Sequence, residues 1–121
     1  MQEKDEKYFL WTFKGVRILL RGSDIWYVSA EEGRTLIHTR NRFYQARETM
    51  KEEVEKLQEL PMVKIHSAFL VNMDKLESIS ARGAHLKNHI VLPVSKGCWT
   101  TARRVVEDYC RNKCSARKNC G

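Results

Sequence analysis

Apolar and polar side chains alternate most regularly between residues 63 and 72. Val63, Ile65, Phe69 and Val71 share one set of alternate positions, and more polar residues mostly lie between them. A period of two places successive side chains on opposite faces of a strand. The pattern therefore predicts one partly buried strand, with Asn72 as a turn-forming residue at its end.

Turn-forming residues divide the following segment into short strands. The predicted features are a turn at Asn72–Asp74, a hairpin with its tip at Ala81–Gly83, a turn at Lys87–Asn88 and a strand over Ile90–Leu92. Pro93 cannot donate a backbone hydrogen bond to a neighbouring strand, so it marks the end of that strand. Ser95 is a favourable N-cap and predicts a helix directly after it, with Lys96 at the helix N-terminus.

The N-terminal part contains a similar series of apolar runs. The predicted strands are Tyr8–Phe13, Val16–Leu20, Ile25–Ser29, Thr35–Thr39 and Phe43–Ala46. Short turns separate them, at Lys14–Gly15, Gly22–Asp24, Glu31–Arg34 and Arg40–Arg42. Strands joined by turns this short pair in antiparallel fashion, so the pattern predicts a local β-meander.

One helix is predicted after Thr49. Thr49 and Glu52 have the spacing of a capping box, and Pro61 ends the element. The apolar residues at helical spacing, which are expected to face the core, are Met50, Val54 and Leu57. The charged residues of the outer face, which are expected to lie in solvent, are Lys51, Glu53, Glu55 and Lys56.

A second helix is predicted over Trp99–Asn112. Its expected core-facing residues are Ala102, Val105, Val106 and Tyr109. Residues 1–7 are expected to be a frayed leader, and residues 111–121 a mobile, basic, cysteine-bearing tail. The predicted fold class is mostly β, with short antiparallel strands, one mid-chain helix and one C-terminal helix in a single domain over residues 8–110.

Charge and composition narrow the classes of function. The 121 residues have a formal net charge of +7 and 42% are hydrophobic, which favours a globular domain with an anionic partner, either nucleic acid or a membrane surface. No apolar run approaches the length of about 18 residues that a membrane span needs. The N-terminus lacks the apolar region of a secretion signal, so a cytoplasmic location is expected.

The cysteines and histidines match no spacing of known chemistry. Three of the four cysteines, Cys110, Cys114 and Cys120, could suggest zinc, but they lack the paired Cys-x-x-Cys of strong zinc sites, so buried or tail thiols are the favoured interpretation. His38 and His66 are expected to pack or hydrogen-bond within a sheet. No enzyme activity, cofactor or metal is expected.

Several motifs occur together in a recognisable order. The motifs are Ile-His-Ser-x-Phe-Leu-Val-Asn from Ile65, Lys-Leu-x-Ser-Ile ending at Ile79, Leu-Lys-Asn at Leu86–Asn88 and Leu-Pro-Val-Ser at Leu92–Ser95. They resemble the signature of the LytTR family, and weaker likeness extends the match to about residues 8–107. These are small β-rich DNA-binding domains, usually at the C-terminal end of bacterial response regulators. The resemblance implies an elongated arrangement of short sheets. The receiver domain that usually precedes such a domain is not seen in this sequence, so a stand-alone regulator or a fragment is expected, and Met1 favours the stand-alone regulator.

The resemblance also implies which loops contact DNA. LytTR domains insert loops into successive major grooves, and by residue matching these are Glu32–Arg34, His66–Ser67 and Ser95–Lys96. Base contacts are then expected from Arg34, Ser67 and Lys96, and backbone contacts from His66 and Ser95. Further phosphate candidates are Lys64, Arg82 and Lys87.

Two of these positions depart from the family pattern. Many relatives have a longer side chain at the position of Ser67 and arginine at that of Lys96, and lysine lacks the bidentate fork of arginine. The resemblance therefore does not imply which bases are read. For Arg34 and Lys96 the alternative is a solvated surface charge.

The positive charge and the resemblance together favour a transcription regulator, and the resemblance implies that it binds direct repeats in promoter DNA as a homodimer. The alternative is a protein-interaction module that controls a membrane or regulator partner.

Overall fold

The computed structural model describes residues 6–117, with side chains described through residue 113. Within that range the chain forms ten strands, two α-helices and two short 3-10 helices, Gly22–Asp24 and Met73–Lys75. The strands are β1 (Tyr8–Phe13), β2 (Val16–Arg21), β3 (Tyr27–Glu31), β4 (Arg34–His38), β5 (Phe43–Ala46), β6 (Met62–His66), β7 (Phe69–Asn72), β8 (Leu76–Ser80), β9 (Gly83–Leu86) and β10 (Val91–Leu92); the helices are α1 (Met50–Lys56) and α2 (Lys96–Arg117). The predicted mostly-β fold class is confirmed.

The strands form three antiparallel sheets. The central sheet has five strands in the order β5-β4-β3-β7-β6. The hairpin sheet contains β1 and β2, and the small sheet contains β10, β9 and β8. No helix in the described range is long and apolar enough to cross a membrane.

Alternating side chains of the central sheet contribute to two separate cores. Tyr27 and Val71 are opposite each other on β3 and β7 and face the core that includes residues of the small sheet and α2. Val28 and Leu70 are the adjacent pair and face a second core, to which the hairpin sheet and α1 contribute. The central sheet is therefore buried on both faces, against different elements.

A hairpin replaces the single strand predicted over residues 63–72, so that prediction was wrong. β6 ends at His66, and β7 begins at Phe69 after a Ser67–Ala68 turn. The Ala68 backbone N–H donates to Nδ1 of His66 at 3.0 Å, which closes the turn. A two-residue turn pairs His66 with Phe69 on one face and by itself would reverse the alternation, but a register shift between Lys64 and His66 restores it. Val63 therefore still lies opposite Val71, and the apolar pattern is the same for one strand and for this hairpin.

Helix α1 buries a residue that was predicted to lie in solvent. Thr49 and Glu52 form the predicted capping box, but Val54 is exposed and Glu53 is fully buried. The Trp11 indole N–H lies 3.1 and 3.0 Å from the two carboxylate oxygens of Glu53. A buried indole N–H needs an acceptor, and the periodicity of apolar residues cannot show where that acceptor will be.

Lys56 links the hairpin sheet to α1. Its ammonium group donates to the Leu10 carbonyl at 2.6 Å and lies 4.3 Å from the centroid of the Trp11 ring. It also pairs with the Glu48 carboxylate at 3.2 Å. Lys56 is therefore half-buried instead of solvated as predicted, and it holds the hairpin through both backbone and side-chain contacts.

The buried carboxyl of Glu53 has a perturbed pKa. Burial raises this pKa from 4.5 to about 7, because the carboxylate loses its hydration. The hydrogen bond from Trp11 and the charge of Lys56 lower it, and the nearby carboxylates of Glu48 and Glu52 raise it. Loss of hydration is the largest of these effects, so the folded protein binds a proton here more tightly than the unfolded chain does.

Helix α2 begins directly after the predicted Ser95 cap, whose Oγ accepts from the Cys98 backbone N–H at 3.2 Å. It extends to Arg117, beyond the predicted end at Asn112. The residues that contact the core are the predicted ones, Ala102, Val105, Val106 and Tyr109. The helix therefore continues through much of the segment that the sequence predicted to be a tail.

Several sequence predictions concern residues at the ends of the chain. Residues 1–5, the side chain of Cys114 and Cys120 lie outside the described residues. From the predicted leader, Glu6 and Lys7 are described. The Glu6 carboxylate accepts from the Ser23 N–H at 3.3 Å. The Lys7 carbonyl accepts from the Gly22 N–H at 2.8 Å, and its ammonium lies 2.9 Å from the Glu59 carboxylate.

We expect Glu53→Gln to remove a pH-dependent loss of stability. Between about pH 4.5 and 7 the unfolded chain ionises at Glu53 before the folded protein does, so this residue lowers stability as pH rises. Below about pH 4.5 both states hold the proton and the loss is absent. Glutamine keeps an acceptor for Trp11 and cannot ionise. Between pH 4 and pH 8, the free energy of unfolding of Glu53→Gln should rise relative to that of wild type by on the order of 2–3 kcal/mol.

Urea unfolding of both proteins across this pH range measures the effect. Glu55→Gln, an exposed change on the same helix, serves as the control and should leave the pH dependence unaltered. A Glu53→Gln profile parallel to that of wild type would contradict the assigned cause.

Candidate nucleic-acid interface

Three loops lie together at one end of the central sheet, which we call the loop edge: Glu32–Arg34, Ser67–Ala68 and Ser95–Lys96. β3 pairs with β4 on one side and with β7 on the other, so the β3–β4 and β6–β7 turns lie at the same end. The Ala30 N–H donates to the Ala68 carbonyl at 2.9 Å. The Ser95 N–H donates to the Ile65 carbonyl at 2.9 Å, which places the start of α2 beside the end of β6.

Arg34 is held at the loop edge by a tight turn. Glu32 and Gly33 have φ angles of 51° and 78°, as both central residues of a type I′ turn require, and glycine adopts such angles without strain. Arg34 follows as the first residue of β4, opposite Glu31. Its side chain is exposed on a rigid strand end.

The β6–β7 turn presents Ser67 and restrains His66. Ser67 is exposed. The His66 ring is half-buried, accepts from Ala68 through Nδ1 and meets the Phe69 ring edge-on at 5.6 Å. With Nδ1 acting as an acceptor, the neutral ring has its proton on Nε2, which is the ring nitrogen left to donate. His66 therefore shapes the turn through one nitrogen and retains one donor.

The junction before α2 presents Lys96 at a helix N-terminus. The Ser95 hydroxyl accepts from Cys98, and the Ser95 carbonyl accepts from the Trp99 N–H at 3.0 Å. Lys96 is exposed. The first backbone N–H groups of an α-helix have no partner within the helix, so they and the lysine can face an anion together.

The loop edge combines both signs of charge. Arg34 and Lys96 contribute cations, but Glu31 at the end of β3 and Glu32 in the first loop are exposed carboxylates. The Ser29 hydroxyl donates to Glu31 at 3.4 Å. Carboxylates repel phosphates, so the positive potential is expected to be weaker at the first loop than at the start of α2.

The three remaining phosphate candidates lie in different places. Lys64 is exposed on β6, two residues before His66. Arg82 is exposed at the β8–β9 tip. The adjacent Gly83 packs closely on β10, since a Cβ on it would lie 3.3 Å from the Leu92 carbonyl. Arg82 is therefore near the strand that leads to Ser95. Lys87 is at the opposite end of the molecule, where its N–H donates to the Lys75 carbonyl at 2.9 Å.

A cationic cluster lies at that opposite end, and the sequence pattern did not predict a function for it. Arg40 and Lys75 place their charges 5.7 and 5.2 Å from the centroid of the Trp26 ring. The Asn88 amide donates to the Arg40 carbonyl at 2.9 Å, which joins the β4–β5 and β9–β10 loops. Arg40 was predicted only as a turn residue, and the cluster forms through tertiary contacts that the sequence pattern does not show.

The other perturbed groups have structural roles. His38 stacks on Tyr27 at 3.9 Å, and its Nε2 lies 2.8 Å from the Ser29 hydroxyl, as the predicted packing within the sheet requires. Burial lowers the pKa of His38 from 6.5 to about 4 and raises the pKa of Tyr27. Within the described side chains, no group of three or more histidine, cysteine or acidic residues is placed to hold a metal ion.

The chain matches a known family over most of its length. The family model of the LytTr DNA-binding domain matches residues 16–107, and comparison with curated proteins gives no match. The structure is similar to that of a LytTr DNA-binding domain from Bacillus cereus, with a TM-score of 0.70 and 17% identity over 82% of this chain and 95% of that chain. That likeness shows the fold, whereas the family match confirms the resemblance seen in the motifs. The chain belongs to the LytTR family of DNA-binding domains.

Proposed function

We propose that this protein regulates transcription by binding double-stranded promoter DNA through the loop edge. The observation that supports this most directly is the convergence of three loops, far apart in sequence, at one end of a sheet that is buried on both faces. A rigid scaffold of this kind positions exposed side chains for contact with base edges.

The three loops take different roles in this proposal. Lys96 reads a base edge, because the Ser95 cap and the contact with Ile65 fix its backbone, and Arg34 does the same from the first loop. Ser67 makes a shorter contact between them. Phosphate contacts come from His66, Ser95, Lys64 and Arg82. Lys87 belongs to the other end of the molecule and contributes little.

Lys96→Ala should reduce binding to a specific site more than binding to random duplex. A base contact discriminates by about 1–3 kcal/mol, or roughly 5- to 150-fold, whereas a phosphate contact affects all sequences alike. A site selected from a random DNA pool and a random duplex provide the two affinities. Lys87→Ala is the matched control, and we expect it to leave both affinities nearly unchanged.

The ratio of the two affinities is the deciding quantity. If Lys96→Ala is folded and the ratio equals that of wild type, Lys96 does not read bases. If Lys87→Ala lowers the ratio instead, DNA binds at the end of the molecule opposite to the loop edge, and the proposed interface is wrong.

We also propose that two protomers occupy direct repeats on one face of the duplex. Such repeats must be separated by whole helical turns, about 10.5 base pairs or a multiple. Inserting about half a turn between the repeats should abolish cooperative binding in a gel-shift titration, while each single site keeps its affinity. Unchanged cooperativity after the insertion would rule out this arrangement.

A further inference from the structure

The hairpin sheet has one buried face and one exposed face. Ile18 and Leu20 of β2 contact the second core with Trp11 of β1. The outward positions of the two strands pair as Tyr8 with Arg21, Leu10 with Leu19, and Thr12 with Arg17. Four of the eight exposed large hydrophobic residues in the described range lie on this hairpin: Tyr8 (60% exposed), Leu10 (50%), Val16 (59%) and Leu19 (62%).

β2 also has an open edge. Within the described residues β2 pairs with β1 alone, so the backbone groups on its other side have no strand partner. At the end of the strand the Arg21 N–H donates to the Asp24 carboxylate at 3.1 Å, so the open part of the edge runs along Val16–Leu20. The outward side chains along this edge are Arg17, Leu19 and Arg21, all exposed. An edge with exposed apolar side chains is a template for a further strand.

The charge along this edge is positive. Arg17 and Arg21 flank Leu19, and β2 contains no acidic residue. Asp24 lies 3.5 Å from the Arg21 guanidinium, a distance at which an exposed pair contributes little. Both arginines are therefore able to meet carboxylates of a partner.

Two other occupants fit less well. A lipid surface cannot satisfy the open backbone groups, and unpaired sheet edges are excluded from hydrocarbon. A second copy that pairs Leu19 with Leu19 in antiparallel register would place Arg17 of each copy opposite Arg21 of the other. Like charges directly opposite each other destabilise a sheet.

We propose that the β2 edge binds an extended segment of a partner protein with the pattern acidic-x-apolar-x-acidic. The partner strand hydrogen-bonds to the open backbone groups of β2 before Arg21, its central apolar side chain covers Leu19, and its two carboxylates face Arg17 and Arg21. This surface includes none of the loop-edge residues, so the partner can bind without competing for them.

NMR titration with a blocked synthetic peptide tests this proposal. The peptide consists of threonines around a central Glu-Thr-Leu-Thr-Glu sequence. We expect amide shifts along Val16–Arg21, and binding weakened at least about tenfold by the double variant Arg17→Glu/Arg21→Glu, because each arginine–carboxylate pair becomes a pair of like charges. A peptide with lysine in place of glutamate should bind this variant instead.

Arg103→Glu/Arg104→Glu is the matched control, since it makes the same change in net charge at exposed positions of α2. The dissociation constant of this control for the peptide should stay within about twofold of the wild-type value, a difference well under 1 kcal/mol. If the charge-reversal variant fails to fold, Leu19→Thr takes its place in the test. This variant preserves the charges and should also weaken peptide binding.

Several results would overturn the proposal. They are the absence of peptide binding, amide shifts confined to the loop edge, and equal loss of binding in the α2 control. Self-association of the wild type that Leu19→Thr abolishes would assign the edge to a second copy. Binding to phosphatidylglycerol vesicles but not to the peptide would assign it to lipid.

Discussion

The pairing of β3 with both β4 and β7 is the constraint on which the candidate interface depends. Antiparallel pairing on both sides of one strand brings the β3–β4 and β6–β7 turns to the same end of the central sheet. The hydrogen bond from Ser95 to Ile65 adds the start of α2. Loops separated by about thirty residues along the chain, a spacing read from their positions, thus become neighbours through backbone pairing.

Burial on both faces makes this arrangement rigid. The small sheet and α2 contribute to one core, and the hairpin sheet and α1 to the other. The second core includes an unusual polar contact, since the Trp11 indole donates to the buried Glu53 carboxylate. At neutral pH that carboxyl costs stability when it ionises, because burial raises its pKa. Lys56 offsets part of this cost and holds the hairpin in place.

Local patterns predicted most of the secondary structure because turns, caps and strand alternation depend on neighbouring residues. The Glu32–Gly33 turn, the Thr49 capping box and the Ser95 cap all occur as predicted. The β6–β7 hairpin was missed because the register shift between Lys64 and His66 compensates for the two-residue turn and leaves the apolar alternation of a single strand. Glu53 was missed because its partner, Trp11, is distant in sequence.

The candidate site was predictable only through family resemblance. Neither charge nor spacing shows that Arg34, Ser67 and Lys96 lie at one end, since tertiary pairing decides it. Lys64 and Lys87 are both exposed lysines that the sequence alone does not distinguish. Tertiary structure places Lys87 at the other end, beside Lys75. The effect of the exposed carboxylates of Glu31 and Glu32, which weaken the positive potential at one part of the loop edge, likewise follows only from the position of the first loop beside the other two.

Amide hydrogen exchange with and without a selected duplex tests the central claim most directly. If the loop edge binds DNA, exchange should slow at residues 32–34, 66–68 and 95–97. Exchange at residues 40–42 and 87–89, at the opposite end, should be unchanged. Protection confined to the opposite end, with the loop edge unaffected, would contradict this account of how the protein binds DNA.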